Sequence, residues 1–410
     1  MGAREFADAK VELRRRLDKL RGELDRYLAS EYGVRAGDAV AFEKWRTSHQ
    51  PFHWFVEFYG IMKSGGFDVI IGNPPYVEYN KVRGQYSVLN FKTLECGNLY
   101  VFIIERSVKL LSTNGLTGLI VPLSFVCTKR MSEARKLIQN YQVWVSSFDI
   151  RPSSLFEGVT QRVSIVLMRK CGEQLTIGYT AGYRRWMAEE RDFLMQTTVH
   201  TNHPEGLGTL NGIPKLSSGI EQSILAKISG EPLSRFRDDA GDPVYIHRIV
   251  RYFIKALTFV PLFVDSDGKK GKSEDYKEFR FPNSERSVIV ALINSSLFYW
   301  FWRANADGFH CGYGDVYVMP YKLPMTAKIR SRLGALQEKL MQELDGSSQM
   351  KTIRTRTGII RYQEFYTKSS KPIIDEIDTV LAGHYRFTDE ELDFIINYDI
   401  KYRMGPEGEE

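Results

Sequence analysis

Apolar residues recur at helical spacing over residues 4–30. Phe6, Val11, Leu13, Leu17, Leu20, Leu24, Tyr27 and Leu28 form one stripe and charged residues fill the rest, which predicts a long amphipathic helix packed on something. The pattern changes after Gly65–Gly66. There "FDVIIGN" is a continuous Val/Ile-rich run, too short for a helix, and reads as a short buried strand. Residues 98–111, "NLYVFIIERSVKLL", return to helical spacing, and "STNG" supplies turn chemistry to end that helix. "LTGLIVPLSFV" predicts a second buried strand broken at Pro122, and "SEARKLIQNY" a helix with Ser132 as N-cap. "VWVSSFDI" predicts a third strand. "QRVSIVLMRK" predicts a fourth, alternating through Val163, Ile165 and Leu167.

Strands alternating with helices at this spacing argue for βαβ units and a parallel sheet covered on both faces. Only about half of such a sheet is visible. The strand, glycine-rich turn and helix that open a dinucleotide-type fold are not found in the first 65 residues, where Gly22, Gly33 and Gly37 form no such turn. The expected fold class is therefore α/β, a partial Rossmann-like sheet followed by an α+β region. The expected divisions are a helical segment at 1–49, the α/β half-domain at 50–172, an irregular linker at 173–219, a mixed region at 220–330 and a helical region at 331–410. In the last, "FTDEELDFIINY" has Thr388 and Glu391 at capping-box spacing. "SLFYWFWRAN", taken as a helix, is apolar nearly all round and reads as core.

Length and composition narrow the class without naming a function. The chain has 410 residues, 43% apolar and 26% charged, with a formal net charge of +6, which permits a polyanionic partner without demanding one. Cys96, Cys127, Cys171 and Cys311 are not at metal-ligand spacing, and four cysteines make no disulfide scaffold; the seven histidines form no HExxH-type cluster. No metal is expected. The charged N-terminus has no apolar core of a signal peptide, no window is long enough to span a bilayer, and a cytoplasmic location is expected.

The chemistry concentrates in "IIGNPPY". An aromatic amine is a poor nucleophile because its lone pair is delocalised into the ring. A site that transfers a group to it must accept hydrogen bonds from its N–H groups. The Asn73 side-chain carbonyl and the Pro74 backbone carbonyl can do so, with Pro75 stiffening the turn and Tyr76 offering a flat face to a planar base. An Asx turn ending a strand is the plain structural alternative for Asn73 alone.

NPPY after "FDVIIG" resembles motif IV of the class I S-adenosylmethionine-dependent amino-methyltransferases, and best fits the adenine-specific DNA methyltransferases of restriction–modification systems. "GNLYVFIIERSVKLLSTNG" is similar to the family's motif V, "GLTGLIVPLSFV" to motif VI and "LFEGVTQRVSIVLMRK" to motif VIII. The C-terminal run from Ile374 is similar to the end of large restriction-type methylases. The resemblance implies base flipping followed by direct methyl transfer without a metal. It implies Asn73, Pro74, Pro75 and Tyr76 as the catalytic set, Phe156 packed on the base, and Asn73, Tyr100 and Phe102 facing the cofactor. Double-stranded DNA is the implied substrate and S-adenosylmethionine the implied methyl donor.

The family's cofactor-binding motifs precede NPPY, and residues 1–72 hold no match to them. The expectation is a C-terminal portion of a longer enzyme, a split enzyme whose upstream chain holds the cofactor, or a degenerate copy. The α+β region is the expected DNA-recognition part, with 220–330 as the target-recognition region. The candidates for DNA contact are Arg248, Arg251 and Lys255 in "YIHRIVRYFIKA" and Lys269, Lys270 and Lys272 in the loop that follows, although acidic neighbours cancel much of that loop's charge. The rivals are a non-catalytic DNA-specificity subunit and a protein-glutamine amino-methyltransferase. The long C-terminal extension favours a polymer such as DNA over the latter.

Overall fold

The computed structural model describes residues 3–35, 37–170, 178–203, 207, 212–356 and 358–405. Cys171 and most of the turn-rich stretch 204–211 lie outside the described residues. The chain divides into two compact units. One comprises Met1–Val145, Val163–Tyr179 and Asn202–Asn211, the other Ser146–Arg162, Thr180–Thr201 and Gly212–Glu410.

The first unit opens with the expected amphipathic helix, α1 (Ala3–Glu31), followed by α2 (Ala39–His49), which the Asp38 carboxylate caps by accepting from the Ala41 N–H at 2.9 Å. The α1 stripe is covered only in part. Leu17, Leu24 and Leu28 are half-buried, whereas Phe6, Val11, Leu13, Leu20 and Tyr27 are exposed. Two short helices, α3 (Trp54–Glu57) and α4 (Tyr59–Lys63), lead to Gly66 at φ +119°. A Cβ there would stand 2.3 Å from the Leu110 carbonyl oxygen, so only glycine lets the chain turn this tightly into β1 (Phe67–Gly72).

β1 pairs in parallel with β2 (Leu111–Pro122), and α5 (Leu99–Leu110) makes the crossover and packs on β2. The short helices α6 (Ser124–Cys127) and α7 (Ser132–Lys136) lie between β2 and β3 (Tyr141–Phe148). β4 (Val163–Lys170), β5 (Gly178–Arg184) and β6 (Thr201–His203) complete a six-stranded sheet of order β1-β2-β4-β3-β5-β6.

Several expectations need correction. The sheet is mixed, not parallel, because β2 and β4 run antiparallel. A parallel neighbour needs a crossover, and the connection 149–162 between β3 and β4 holds no helix. β1 is an edge strand and is not buried: Val69 is 61% and Ile71 84% exposed. "STNG" does not end α5 in a turn but lies inside β2, with Asn114 in the left-handed region at φ 69° beside a register shift. Ser132 is the first residue of α7, not its cap. On β4 the buried face carries Ser164, Val166 and Met168; of the alternating residues read as apolar face, Val163 is buried, Ile165 half-buried and Leu167 exposed. The segment expected to be an irregular linker supplies β5 and β6.

The second unit is built differently. Helix α8 (Gly219–Lys227) precedes β7 (Glu231–Pro232), which pairs with β13 (Pro320–Tyr321). Strands β8 (Pro243–His247), β9 (Ala256–Leu257) and β12 (Tyr276–Arg280) form a sheet of order β12-β8-β9. Strands β10 (Phe263–Val264), β11 (Lys270–Gly271), β14 (Gln349–Thr355) and β15 (Gly358–Glu364) form another, of order β11-β10-β15-β14. Helices α9 (Asn283–Asn294), α10 (Ser296–Asn305), α11 (Tyr313–Tyr317), α12 (Ala327–Ser347), α13 (Lys371–Tyr385) and α14 (Asp389–Asn397) supply most of one large core. As read from the sequence, α10 is buried on every side from Ser296 to Ala304, and α14 starts with the Thr388–Glu391 capping box. Among the described residues no helix is long and apolar enough to cross a membrane.

Candidate functional site

The NPPY turn stands where β1 leaves the sheet. Asn73 and Pro75 are exposed, Pro74 is buried and Tyr76 is half-buried. The Tyr76 hydroxyl lies 2.7 Å from Asn73 Oδ1 and 3.0 Å from the Ile120 carbonyl of β2. A phenol has one proton to donate, so the two carbonyls share it. Burial raises the Tyr76 pKa, which keeps the ring a donor at neutral pH. An amide oxygen has two acceptor sites. With one facing Tyr76, Asn73 retains one. Among the described residues no hydrogen bond takes up the Pro74 carbonyl.

Three side chains that the sequence reading passed over, Glu78, Arg130 and Asn98, meet just after this turn, and a fourth, Glu105, anchors the loop at Lys92–Thr93. Glu78 accepts from Arg130 Nη2 and Nη1 at 2.7 and 3.0 Å and from Asn98 Nδ2 at 3.1 Å. The Arg130 hydrogen bonds hold its carboxyl below the usual carboxylate range. Asn98 also caps α5 through the Tyr100 N–H. Glu105, on the buried face of α5, accepts from the Lys92 and Thr93 N–H groups, from Thr93 Oγ1 at 2.8 Å and from Lys109 Nζ at 2.7 Å. Burial pushes its pKa up, but these donors outweigh burial and hold it low. No periodicity marks such a carboxylate, because its partners lie on a loop and at the next turn of the helix.

The two residues carried over as cofactor wall do not face open space. Tyr100 is fully buried, with its hydroxyl 3.1 Å from Ser124 Oγ and its ring edge-on to Tyr76 at 6.4 Å. Phe102 is buried against Tyr79 and Phe91, with ring centroids at 5.5 and 5.1 Å. Both are packed into the core. Phe156 belongs to the second unit, half-buried, where its carbonyl accepts from Ser154 Oγ.

The candidate DNA residues fall into two sets. Arg248 is paired with Asp275 at 2.9 Å and Lys272 with Glu278 at 2.8 Å, so their charge is largely met within the protein. Lys269 and Lys270 are exposed at the β10–β11 turn. Arg251 and Lys255 line a groove of about 370 Å³ whose other walls include His247, Phe263, Ile360 and Tyr362. The exposed hairpin β14–β15, with Lys351, Arg354, Arg356 and Arg361, adds a basic, partly apolar ribbon that the sequence reading did not single out. Period-2 alternation was available as a signal there, but both faces of β14 are polar or exposed and no apolar contrast marks it.

Among the described residues no group of three or more His, Cys, Asp and Glu side chains is placed to hold a metal ion.

With this geometry in hand, the chain is seen to be similar over part of its length to restriction–modification methylases. Residues 11–156 match the model of the Eco57I restriction-modification methylase family. A protein of Methanocaldococcus jannaschii named as a type II restriction enzyme and methyltransferase is 34% identical over 121 residues, 30% of this chain and 10% of that one. The Escherichia coli type II restriction enzyme and methyltransferase Eco57I is 22% identical over 144 residues, 33% of this chain and 14% of that one. The similarity thus covers only about a tenth to a seventh of these curated relatives' length. The type IIL restriction-modification enzyme MmeI, solved in complex with DNA, superposes with a TM-score of 0.43 at 10% identity over 82% of this chain and 57% of that one.

Proposed function

We propose that this chain carries the target-amine side of an adenine-N6 DNA methyltransferase that serves a restriction–modification system in the cytoplasm, with double-stranded DNA as substrate. The observation that carries this reading is the exposed Asn73 carbonyl, oriented by Tyr76 and next to the unclaimed Pro74 carbonyl at the end of a strand. Two rigid acceptors side by side suit the two N–H groups of an exocyclic amine, and drawing on both pulls the nitrogen toward the geometry of a nucleophile. The exposed Pro75 stiffens the turn. The Tyr76 ring, fixed by its hydroxyl, offers the base a stacking face. Phe156 is the candidate to pack on the flipped base from the motif VIII side.

Tyr100 and Phe102 are enclosed in the core, so the face that they offer S-adenosylmethionine in this reading is small. A glycine-rich phosphate-type turn on further polypeptide, in the same chain or another, would hold the rest of the cofactor, with the β1-to-β4 sheet as one half of a Rossmann-like whole.

Methyl transfer from labelled S-adenosylmethionine to adenine in duplex DNA, with this chain supplemented by the cofactor-binding half, tests the proposal. Asn73→Ala is expected to lower the rate by about 10²–10³-fold, as for loss of one preorganised hydrogen-bonding group. Equal rates for both chains, or none for either, sink the catalytic reading. The enclosed Tyr100 and Phe102 also favour a second reading, a non-catalytic DNA-specificity subunit, which predicts DNA binding unchanged by Asn73→Ala and no transfer under any supplementation.

A further inference from the structure

Beyond β3 the second unit holds a buried ion cluster that the proposed chemistry does not use. Asp149 accepts from Arg303 Nη1 at 2.8 Å, Arg185 Nε at 3.1 Å and Arg162 Nε at 3.2 Å. Asp399 lies 3.2 Å from Arg185 Nη1 and 3.5 Å from Arg303 Nε. Both carboxylates are thus committed to buried arginines. Two further guanidiniums, Arg151 and Arg251, line the same concavity as Asp149, Arg162, Arg185 and Phe309. Neither has a carboxylate within ion-pair distance among the described residues, and both are exposed at the mouth. Arg151 lies over the Phe309 ring at 5.5 Å, and Arg162 over the same ring at 4.6 Å.

Five guanidiniums therefore surround two carboxylates. The excess shows in Arg151, whose proton affinity is lowered first by burial and then by the Arg251 and Arg162 charges. Like charges gathered in a partly desolvated recess repel unless an anion joins them. Guanidinium forks held on an aromatic ring match the oxygens of a phosphate.

We propose that Arg151 and Arg251, with Arg162 and Phe309 behind them, clamp one phosphodiester of a DNA backbone. The site joins a residue just after β3 to one in the basic stretch preceding β9. It rests on the nucleic-acid reading above and adds to it a specific, sequence-independent contact.

The test is fluorescence anisotropy of a labelled duplex against the full chain, from about 50 to about 200 mM NaCl. Arg151→Ala and Arg251→Ala are each expected to weaken binding several-fold, equally for unrelated sequences, and to lower the slope of log K against log salt by about 0.9, the share of one phosphate. Because both hold the same phosphate, the double variant loses no more slope than either single one. Arg151→Lys keeps the slope, and so does Lys136→Ala, an exposed lysine paired with Glu133 in the other unit. Unchanged affinity and slope in both alanine variants, with the unmodified chain still binding, overturn the clamp and leave the DNA reading standing. A double variant that loses about two slope units overturns the single-phosphate geometry. Displacement of the duplex by sub-millimolar inorganic phosphate, seen only when Arg151 is present, overturns the backbone assignment in favour of a free phosphate. No duplex binding by the unmodified chain removes the clamp and the DNA reading together.

Discussion

Strand β1 and helix α10 are both dense in large apolar side chains, yet they meet opposite environments. In α10 every residue from Ser296 to Ala304 is buried, with Trp300 at 0% exposure and its Nε1–H donating to Glu221 Oε1 at 3.0 Å. In β1, Val69 and Ile71 face outward from the edge of the sheet. The exposed apolar surface continues across the neighbouring strands. Ile71 is opposite Gly118, Gly118 opposite Leu167 and Val69 opposite Leu116, and both leucines are exposed. α5 covers the other face of β2. The second unit brings its own cover within the chain, while the first holds its candidate chemistry on a sheet whose β1 edge is bare on one apolar face. A bare face of this kind marks a surface that another element is built to meet.

The contrast predicts a graded set of mutational effects. Trp300→Ala should cost about 3–5 kcal/mol, because it opens a large cavity and strips Glu221 of a buried donor; denaturant unfolding followed by tryptophan-independent circular dichroism reads it. A cost below about 1 kcal/mol would mean that the second unit is far less packed than described. Next comes the ion cluster. The charges of Arg303, Arg185 and Arg162 overcome the burial that opposes ionisation, and hold Asp149 down from 3.8 to about 2. The folded pKa is depressed, so the stabilisation is present above pH 3.8 and is lost as pH falls toward 2. At about 1.4 kcal/mol per pKa unit the loss is about 2 kcal/mol. Asp149→Asn should remove that acid-side slope in a stability titration while lowering stability at neutral pH; an unchanged slope would assign it to other carboxylates.

Smaller effects belong to the first unit. Arg130→Ala breaks a half-exposed pair with Glu78 and should cost about 1 kcal/mol or less. Its clearer readout is faster amide exchange across the turn from Asn73 to Asn80, and unaltered exchange would show that the pair does not hold the turn. The smallest effect is expected for Ile71→Ser, within about 0.5 kcal/mol in this chain alone. A loss of several kcal/mol would show that β1 is covered after all, and would erase the contrast.

Local chemistry was legible in the sequence. The αL-prone glycines before β1, the Thr388–Glu391 box, the all-round apolar α10 and NPPY at a strand end each depend on neighbours within a few residues. What was not legible depends on remote chain. "FDVIIG" has the composition of a buried strand, but burial is decided by what packs above it, and the run itself carries no record of that. The direction of β4 is set by the connection 149–162, whose lack of a helix is weakly marked. Its buried face is read wrongly because Ser164 is buried and Leu167 is not. Glu105 and Asp149 are ordinary carboxylates in the sequence and become anchors only when the loop at Lys92–Thr93 and the distant Arg185 and Arg303 arrive.

The bare face of β1 also separates two kinds of selection. In this chain alone, threonine or lysine at positions 69 and 71 would satisfy the strand nearly as well as valine and isoleucine do, since both side chains are mostly exposed and lose only cross-strand contact. A variant library sorted on folding would let both positions drift toward polar residues, and if the proposed enzyme covers this face, the same library sorted on methyl transfer would hold them apolar. A difference between the two sorted populations would then map, residue by residue, the covered surface.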